Sequence, residues 1–218
     1  GESEEHHGGG DRDFEVLPGD ELILGGGTYN LTSRFAIDVS GTEELPIVIR
    51  AKDGEIPVIT RPDANQNAVN VEDASWVELR GVEVTGGSHG IRIVSSSFIT
   101  IEDCHIHDTG DVAISANVAG SDYEGLRLVG NHIHHTNNTG EGMYLGCNND
   151  GCRVFRSLIA ENYIHHTNGP SVVQGDGIEI KEGSFENVVR DNVIHDTNYP
   201  CILTYATVGN GGPNVIER

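Results

Sequence analysis

IEDCHIHDT at residues 101–109 returns as LVGNHIHHT at 128–136, IAENYIHHT at 159–167 and VRDNVIHDT at 189–197, with a more distant copy, LRGVEVTGG, at 79–87. In each copy an apolar residue is followed five positions later by Val84, Ile106, Ile133, Ile164 or Ile194, and the offsets between those five are 22, 27, 31 and 30 residues. A further short run follows every copy: HGIRI from His89, VAISA from Val112, EGMYL from Glu141, DGIEI from Asp176 and PCILT from Pro200. These are short β-type runs broken by Gly, Asn, Asp and Ser, and no stretch sustains the 3.6-residue apolar period of a helix. Self-similarity at this length marks one supersecondary unit stacked on its neighbours.

A unit of two or three short strands cannot bury its apolar side chains alone, whereas stacked units share a continuous core. The variable period argues against strict hexapeptide and nonapeptide helices, and propeller blades need four longer strands. The expected fold is all-β: a single-stranded right-handed parallel β-helix, or solenoid, with equivalent residues on successive rungs about 4.8 Å apart. Its interior should hold Val77, Leu79, Val84, Ile99, Ile101, Ile106, Leu126, Leu128, Ile133, Ile159, Ile164, Val189 and Ile194. Ile91, Ile93, Ile114, Met143, Leu145, Ile178 and Ile180 should line the later strand of each rung. Asn131, Asn162 and Asn192 share a column in which stacked amides can satisfy buried turn backbone, and Thr109, Thr136, Thr167 and Thr197 share another. Residues 1–13 (GESEEHHGGGDRD) read as a disordered polar linker and 14–218 as the β-helix domain. The final residues, 214–218, look like the start of another rung, so the solenoid is expected to be truncated at the C-terminus and to continue in a longer protein.

Asp and Glu number 34 against 13 Lys and Arg, a formal charge of −21, which excludes nucleic acid or anionic membrane as partners for a basic patch. No run approaches the length of a membrane span, so no membrane insertion is expected. Cys147 and Cys152 bracket the turn-rich residues 148–151 and can close a small disulfide loop, which points to an oxidising compartment. Cys104 and Cys201 lie three rungs apart in different columns, roughly 14 Å, and are expected to be free and buried.

The opening turns, VLPGDELILGGGTY at 16–29 and GTEELPIVIRAKDG at 41–54, resemble those of secreted right-handed β-helix proteins of the pectate-lyase-like superfamily, notably polysaccharide lyases of the chondroitinase B and alginate lyase type. The resemblance covers roughly residues 14–218 as architecture and implies a secreted or cell-surface, carbohydrate-active protein. GDGIEIKEGS at 175–184 is similar to the acidic strand of the chondroitinase B type, where a glutamate pair spaced i, i+2 helps to hold calcium and a lysine follows. Glu179 matches one glutamate, Gly177 stands at the other position, and Lys181 arrives only two residues after Glu179. The same run also resembles the acidic strand of β-helix polygalacturonases, without their paired-aspartate pattern.

Three groups of residues can carry chemistry. Glu141 and Asp176 fall in one column on adjacent rungs, so their backbones should lie about 5 Å apart and their carboxylates should share a proton or a cation. Glu179 and Lys181 alternate with Ile178 and Ile180, which places both outward from the strand. Glu141, Asp176 and Glu179 are therefore candidate calcium ligands, Lys181 the candidate base for abstracting a uronate C5 proton, and Arg190 and Arg92 candidate clamps for a sugar carboxylate. The second group is a histidine ladder, His107, His134, His165 and His195, flanked by His105 and His132 in a column that Tyr163 and Val193 continue. His135 and His166 extend the adjacent column, with Asp108 and Asp196 at its ends. Stacked imidazoles suit a transition metal or acid–base work, although repeating rungs produce such ladders without any function. The third is a set of aromatics, Tyr144, Tyr163, Tyr199, Tyr205 and Trp76, able to stack on pyranose rings. The function expected is a calcium-assisted lyase acting on an acidic polysaccharide, monomeric when complete. The alternative is a non-catalytic carbohydrate-binding or structural cell-surface solenoid.

Overall fold

The computed structural model describes residues 15–218; the expected linker at 1–13 lies outside them. Three parallel sheets of 8, 7 and 7 strands run the length of the molecule, each rung contributing one strand to each sheet in turn. One rung illustrates the path: Arg127–Val129 in the first sheet, His132–His134 in the second, and Met143–Leu145 in the third. The chain then passes a 3-10 turn at Asn148–Asp150 and a short strand, Val154–Phe155, that pairs with Tyr123–Glu124 in a small fourth sheet, and re-enters the first sheet at Leu158–Ala160. The register matches the sequence alignment, since Ile106 pairs with Val84 and Ile133, Ile133 with Ile164, and Ile164 with Ile194.

Inward-facing aliphatic residues form one continuous core, and the expected interior residues are buried in it, except that Ile194, on the last rung of the second sheet, is only partly covered. A two-residue turn joins the first sheet to the second. Its leading residue (Gly81, Asp103, Gly130, Glu161 or Asp191) adopts positive φ, and its second residue points inward. There Asn162 Oδ1 accepts from the backbone N–H and Nδ2 of Asn131, both at 3.0 Å, while Asn162 Nδ2 donates to Leu128 O at 2.8 Å and Asn192 Oδ1 at 2.9 Å. The amide column thus satisfies turn backbone that water cannot reach. The threonine column closes the next turn: Thr109 Oγ1 donates to Asp111 O at 2.7 Å and Thr167 Oγ1 to Gly175 O at 2.8 Å.

Cys147 and Cys152 are disulfide-bonded, with Cα atoms 4.9 Å apart. Cys104 is free and buried. Cys201 is free but exposed, a departure from the expected burial. It lies just before the last strand of the third sheet, Ile202–Thr204, and no further rung among the described residues stacks over it.

Candidate functional site

The outward faces of the second and third sheets differ. In the second sheet, strands such as His132–His134 bury only their central residue. In the third, Ile114–Ala116 and Ile178–Ile180 are buried at all three positions. The outward column there runs Asn70, Arg92, Ser115, Tyr144, Glu179. A solenoid face that is both polar and covered is costly to build, because each desolvated polar atom needs a partner.

Glu141 and Asp176 sit at equivalent places just ahead of this sheet; the Gly142 amide donates to Asp176 O at 2.9 Å, which fixes the pairing expected from the repeats. Each is followed by a glycine for a steric reason. A Cβ on Gly142 would lie 2.6 Å from Gly177 O, and one on Gly177 would lie 2.4 Å from Cys201 O and 2.5 Å from Ile194 Cγ2. The D/E-G-apolar signature therefore combines a backbone that must pass close to its neighbours with an acid held just before it.

Glu141, Asp176 and Glu179 converge, each offering a carboxylate oxygen within 4.8 Å of the others. Their exposures are 0%, 1% and 1%. Five of their six oxygens, both of Glu141, both of Asp176 and Oε2 of Glu179, are buried without any hydrogen-bond partner. The sixth, Glu179 Oε1, accepts from Lys181 Nζ and, at 3.4 Å, from the Tyr205 hydroxyl. Lys181 is itself buried, with Nζ 4.7 Å from the Tyr144 ring centre and 5.0 Å from that of Tyr205. Gly146, on the preceding rung, leaves room for it, since a Cβ there would come within 3.0 Å of Lys181 Cβ. The alternation of the strand is as expected, but the acids and the lysine that it turns outward are buried, with the Tyr144 and Tyr205 rings packed against the lysine.

Burial, and then the charge of Glu179, push Asp176 up to about 6. Burial likewise raises Glu141, with smaller contributions from Glu179 and Asp111. Burial alone would lower Lys181, but the hydrogen bond and charge of Glu179 outweigh it and raise the ammonium above its ordinary value. Three carboxylates against one ammonium leave an excess of negative charge in a covered site. Such an arrangement calls for a proton or a cation.

Arg92 shares this outward column, three strands from Glu179 and roughly 14 Å away. Its Nε is buried and unpartnered. Arg190, by contrast, is not brought to the cluster: it lies on the first sheet, pairs with Asp191 at 2.7 Å, and helps to line a groove of about 670 Å³ with Trp76 and Phe98. Tyr163 is also elsewhere, exposed on the second sheet within the histidine ladder. Trp76 stacks on Phe98 at 4.2 Å, so it packs within the first-sheet groove and not beside the acids. Ser115 Oγ and Asn117 Oδ1, buried and unpartnered on or beside the third sheet, have no signature in the sequence that would have singled them out.

The ladder forms as the repeats imply. His107, His134, His165 and His195 are in register, with ring centres 5.0, 5.0 and 5.3 Å apart. Burial, then the charges of neighbouring imidazoles, push His134 down to about 3 and His165 down to about 4, and lower His105 and His132 as well.

A family model described as "Pel9A-like, right handed beta helix region" matches residues 14–164. That match includes Glu141 and Tyr144 and ends before Asp176, Glu179 and Lys181. Pectate lyase PEL9 of Emericella nidulans is 30% identical over 91 residues, covering 35% of this chain and 22% of that protein, so the chain spans about a fifth of that relative's length. Among solved structures, an alginate lyase from Paenibacillus sp. str. FPU-7 superposes with a TM-score of 0.73 at 24% identity, over 92% of this chain and 68% of the other. Pectate lyase Pel9A gives 0.56 at 17% identity, over 81% and 62%. A mannuronic acid specific family 6 lyase from human gut microbiota gives 0.57 at 19%, over 88% and 47%. At these identities the structural likeness concerns the fold. With well over half of its residues inside the matched region, the chain belongs to the Pel9A-like family of right-handed β-helices.

Proposed function

We propose that this chain carries the active face of a secreted or cell-surface polysaccharide lyase that cleaves an acidic, uronate-containing polymer by β-elimination. The observation that carries the reading is the trio of buried carboxylates, five of their oxygens unpartnered, beside a buried lysine on the outer face of the third sheet. A spacer or simple binding scaffold has no use for such a cluster, since burying unpaired carboxylates costs stability. The names of the similar proteins, pectate lyase and alginate lyase, and the disulfide are in keeping with an exported enzyme of this class.

The donor set fits calcium: it is all hard oxygen, multiply charged and otherwise unsatisfied, with no imidazole or thiol among it. Glu141, Asp176 and Glu179 would hold the ion. Bound there, calcium supplies positive charge to a substrate carboxylate, which acidifies the neighbouring C5 proton. Lys181 is the group that takes that proton. Its ammonium now donates to Glu179 Oε1; with the charge of Glu179 engaged elsewhere, burial favours the neutral amine, the displaced proton passes to solvent, and Lys181 is then free to accept the C5 proton. As the C5–H bond breaks, its electron pair becomes the C4=C5 double bond and the C4–O bond departs with its electrons, the leaving oxygen receiving a proton. Tyr144, kept protonated by burial and lying against Lys181, is a proton carrier at that position and offers a ring face to the sugar. Arg92, further along the same column, is suited to pair with another carboxylate of the polymer.

Pectate, alginate and glycosaminoglycans incubated with the protein and calcium test the reading through the ultraviolet absorbance of unsaturated uronate ends. At least one polymer should give a rise that Lys181→Ala abolishes and Arg190→Ala leaves intact. No rise with any of them from the full-length protein, or full activity in Lys181→Ala, would refute it.

A further inference from the structure

The histidine ladder lies on the second sheet, away from the acidic cluster, and the lyase reading makes no use of it. At one end, His105, His107 and His134 each offer a ring nitrogen within 4.8 Å of the others. Three consecutive strands supply the group, because Glu83 pairs with His105 and His107 pairs with His134. We propose that His105, His107 and His134 form a transition-metal site, with Glu83 as its carboxylate ligand, that ties three successive rungs together.

The hydrogen bonding around the three rings supports this assignment. His107 Nδ1 lies 2.7 Å from Asp108 Oδ2, a contact that makes Nδ1 the donor and turns Nε2 toward the other members of the group. That Nε2 faces Glu83 Oε1 at 3.3 Å, a ring nitrogen and a carboxylate oxygen set where a proton or a metal ion would join them. His134 Nδ1 is engaged by His135 Nδ1 at 2.6 Å, which leaves His134 Nε2 to face His105 Nε2 at 2.8 Å. His105 Nδ1 in turn points toward Glu83 Oε2 at 3.8 Å. His107 therefore already has, in Asp108, the carboxylate partner on its other ring nitrogen that metal-bound histidines characteristically have, and the second nitrogen of His134 is held by His135. Imidazole donors with one carboxylate select zinc, copper or nickel over calcium or magnesium, so the two sites should divide the metals between them. In mid-ladder His132 Nε2 meets His165 Nε2 at 2.8 Å, and at the far end Asp196 faces His195 Nδ1 at 2.8 Å and His166 Nε2 at 3.9 Å, but neither place gathers three ring nitrogens as the group beside Glu83 does among the described residues.

The test uses the full chain with His6 and His7 replaced by Ala, stripped with a chelator and titrated with zinc or copper. One equivalent should bind, and at about 100 times Kd the melting temperature should rise by about 5–10 °C. The copper electron paramagnetic resonance spectrum should show coupling to three imidazole nitrogens, reduced to two in His134→Gln. Glu83→Gln should weaken binding, whereas Asp176→Asn should leave it unchanged. Absence of one-equivalent binding, an unaltered spectrum in His134→Gln, or loss of binding in Asp176→Asn would overturn the proposal. Glu83 and His134 are half-buried outward-facing positions, so the circular dichroism and metal-free melting of Glu83→Gln and His134→Gln separate loss of the site from loss of the fold.

Discussion

Replacing Asp176 with Asn should stabilise the metal-free protein, an unusual result for a change at a fully buried position. The carboxyl is displaced from its ordinary 3.8 to about 6, chiefly by burial and then by Glu179. At about 1.4 kcal/mol per tenfold change in acidity, that displacement amounts to about 3 kcal/mol. The folded carboxyl is the weaker acid, so its stability contribution is fully present below about pH 4 and is lost as pH rises through about 6. Asn keeps the shape without the charge, and its amide can donate to the unpartnered oxygens of Glu141. In a chelator at about pH 8, the variant should therefore melt about 6–12 °C above the parent, given 2–4 °C per kcal/mol for a chain of this size, and the two should converge near pH 4. Calcium should reverse the order of response: the parent gains about 5–11 °C at about 100 times Kd, and the variant gains less. Differential scanning calorimetry in chelator and in calcium reads both effects. A variant that melts below the parent in chelator at alkaline pH would mean that Asp176 is satisfied without a cation, and the reasoning would fail.

Three further outcomes follow from the geometry. Asn162→Ala strands a buried N–H of Asn131 and the carbonyl of Leu128, so urea unfolding should report a loss of about 2–4 kcal/mol; a loss under about 1 kcal/mol would mean that water replaces the amide. Gly177→Ala drives a methyl group into Cys201 O and Ile194 Cγ2 and should cost about 1–3 kcal/mol, with neutrality in the same assay counting against the close approach. His134 and His165, displaced downward to about 3 and about 4, contribute stability that is present above their ordinary value near 6.5 and lost as pH falls through their folded values. Unfolding midpoints from neutral to acid pH should accordingly fall less steeply in His134→Gln than in the parent, and equal slopes would show that the stacked ring is not desolvated.

The repeats made the solenoid legible because each rung restates the same constraint: Ile106, Ile133, Ile164 and Ile194 occur at one place in every copy and pair in that register. Asn131 and Asn162 were legible for the same reason, since an amide recurring at a turn has a backbone job. Glu141 and Asp176 could be matched because the glycine after each marks the position. A repeat reports columns, however, and not the angle each column takes around the axis. That is why Arg190 and Tyr163, near the site in sequence terms, belong to other faces. Burial of Glu179 and Lys181 was equally hidden, because alternation along a strand says which way a side chain points and nothing about what packs over it, here Tyr144 and Tyr205 against the lysine.

Whether this face eliminates or hydrolyses an acidic polymer is read from digestion in heavy-oxygen water followed by mass spectrometry of the products. Elimination by the Lys181 site predicts oligomers with an unsaturated uronate at one end and no heavy oxygen incorporated at the cleaved bond. Saturated products carrying heavy oxygen at the new reducing end would instead identify hydrolysis and refute elimination at Lys181.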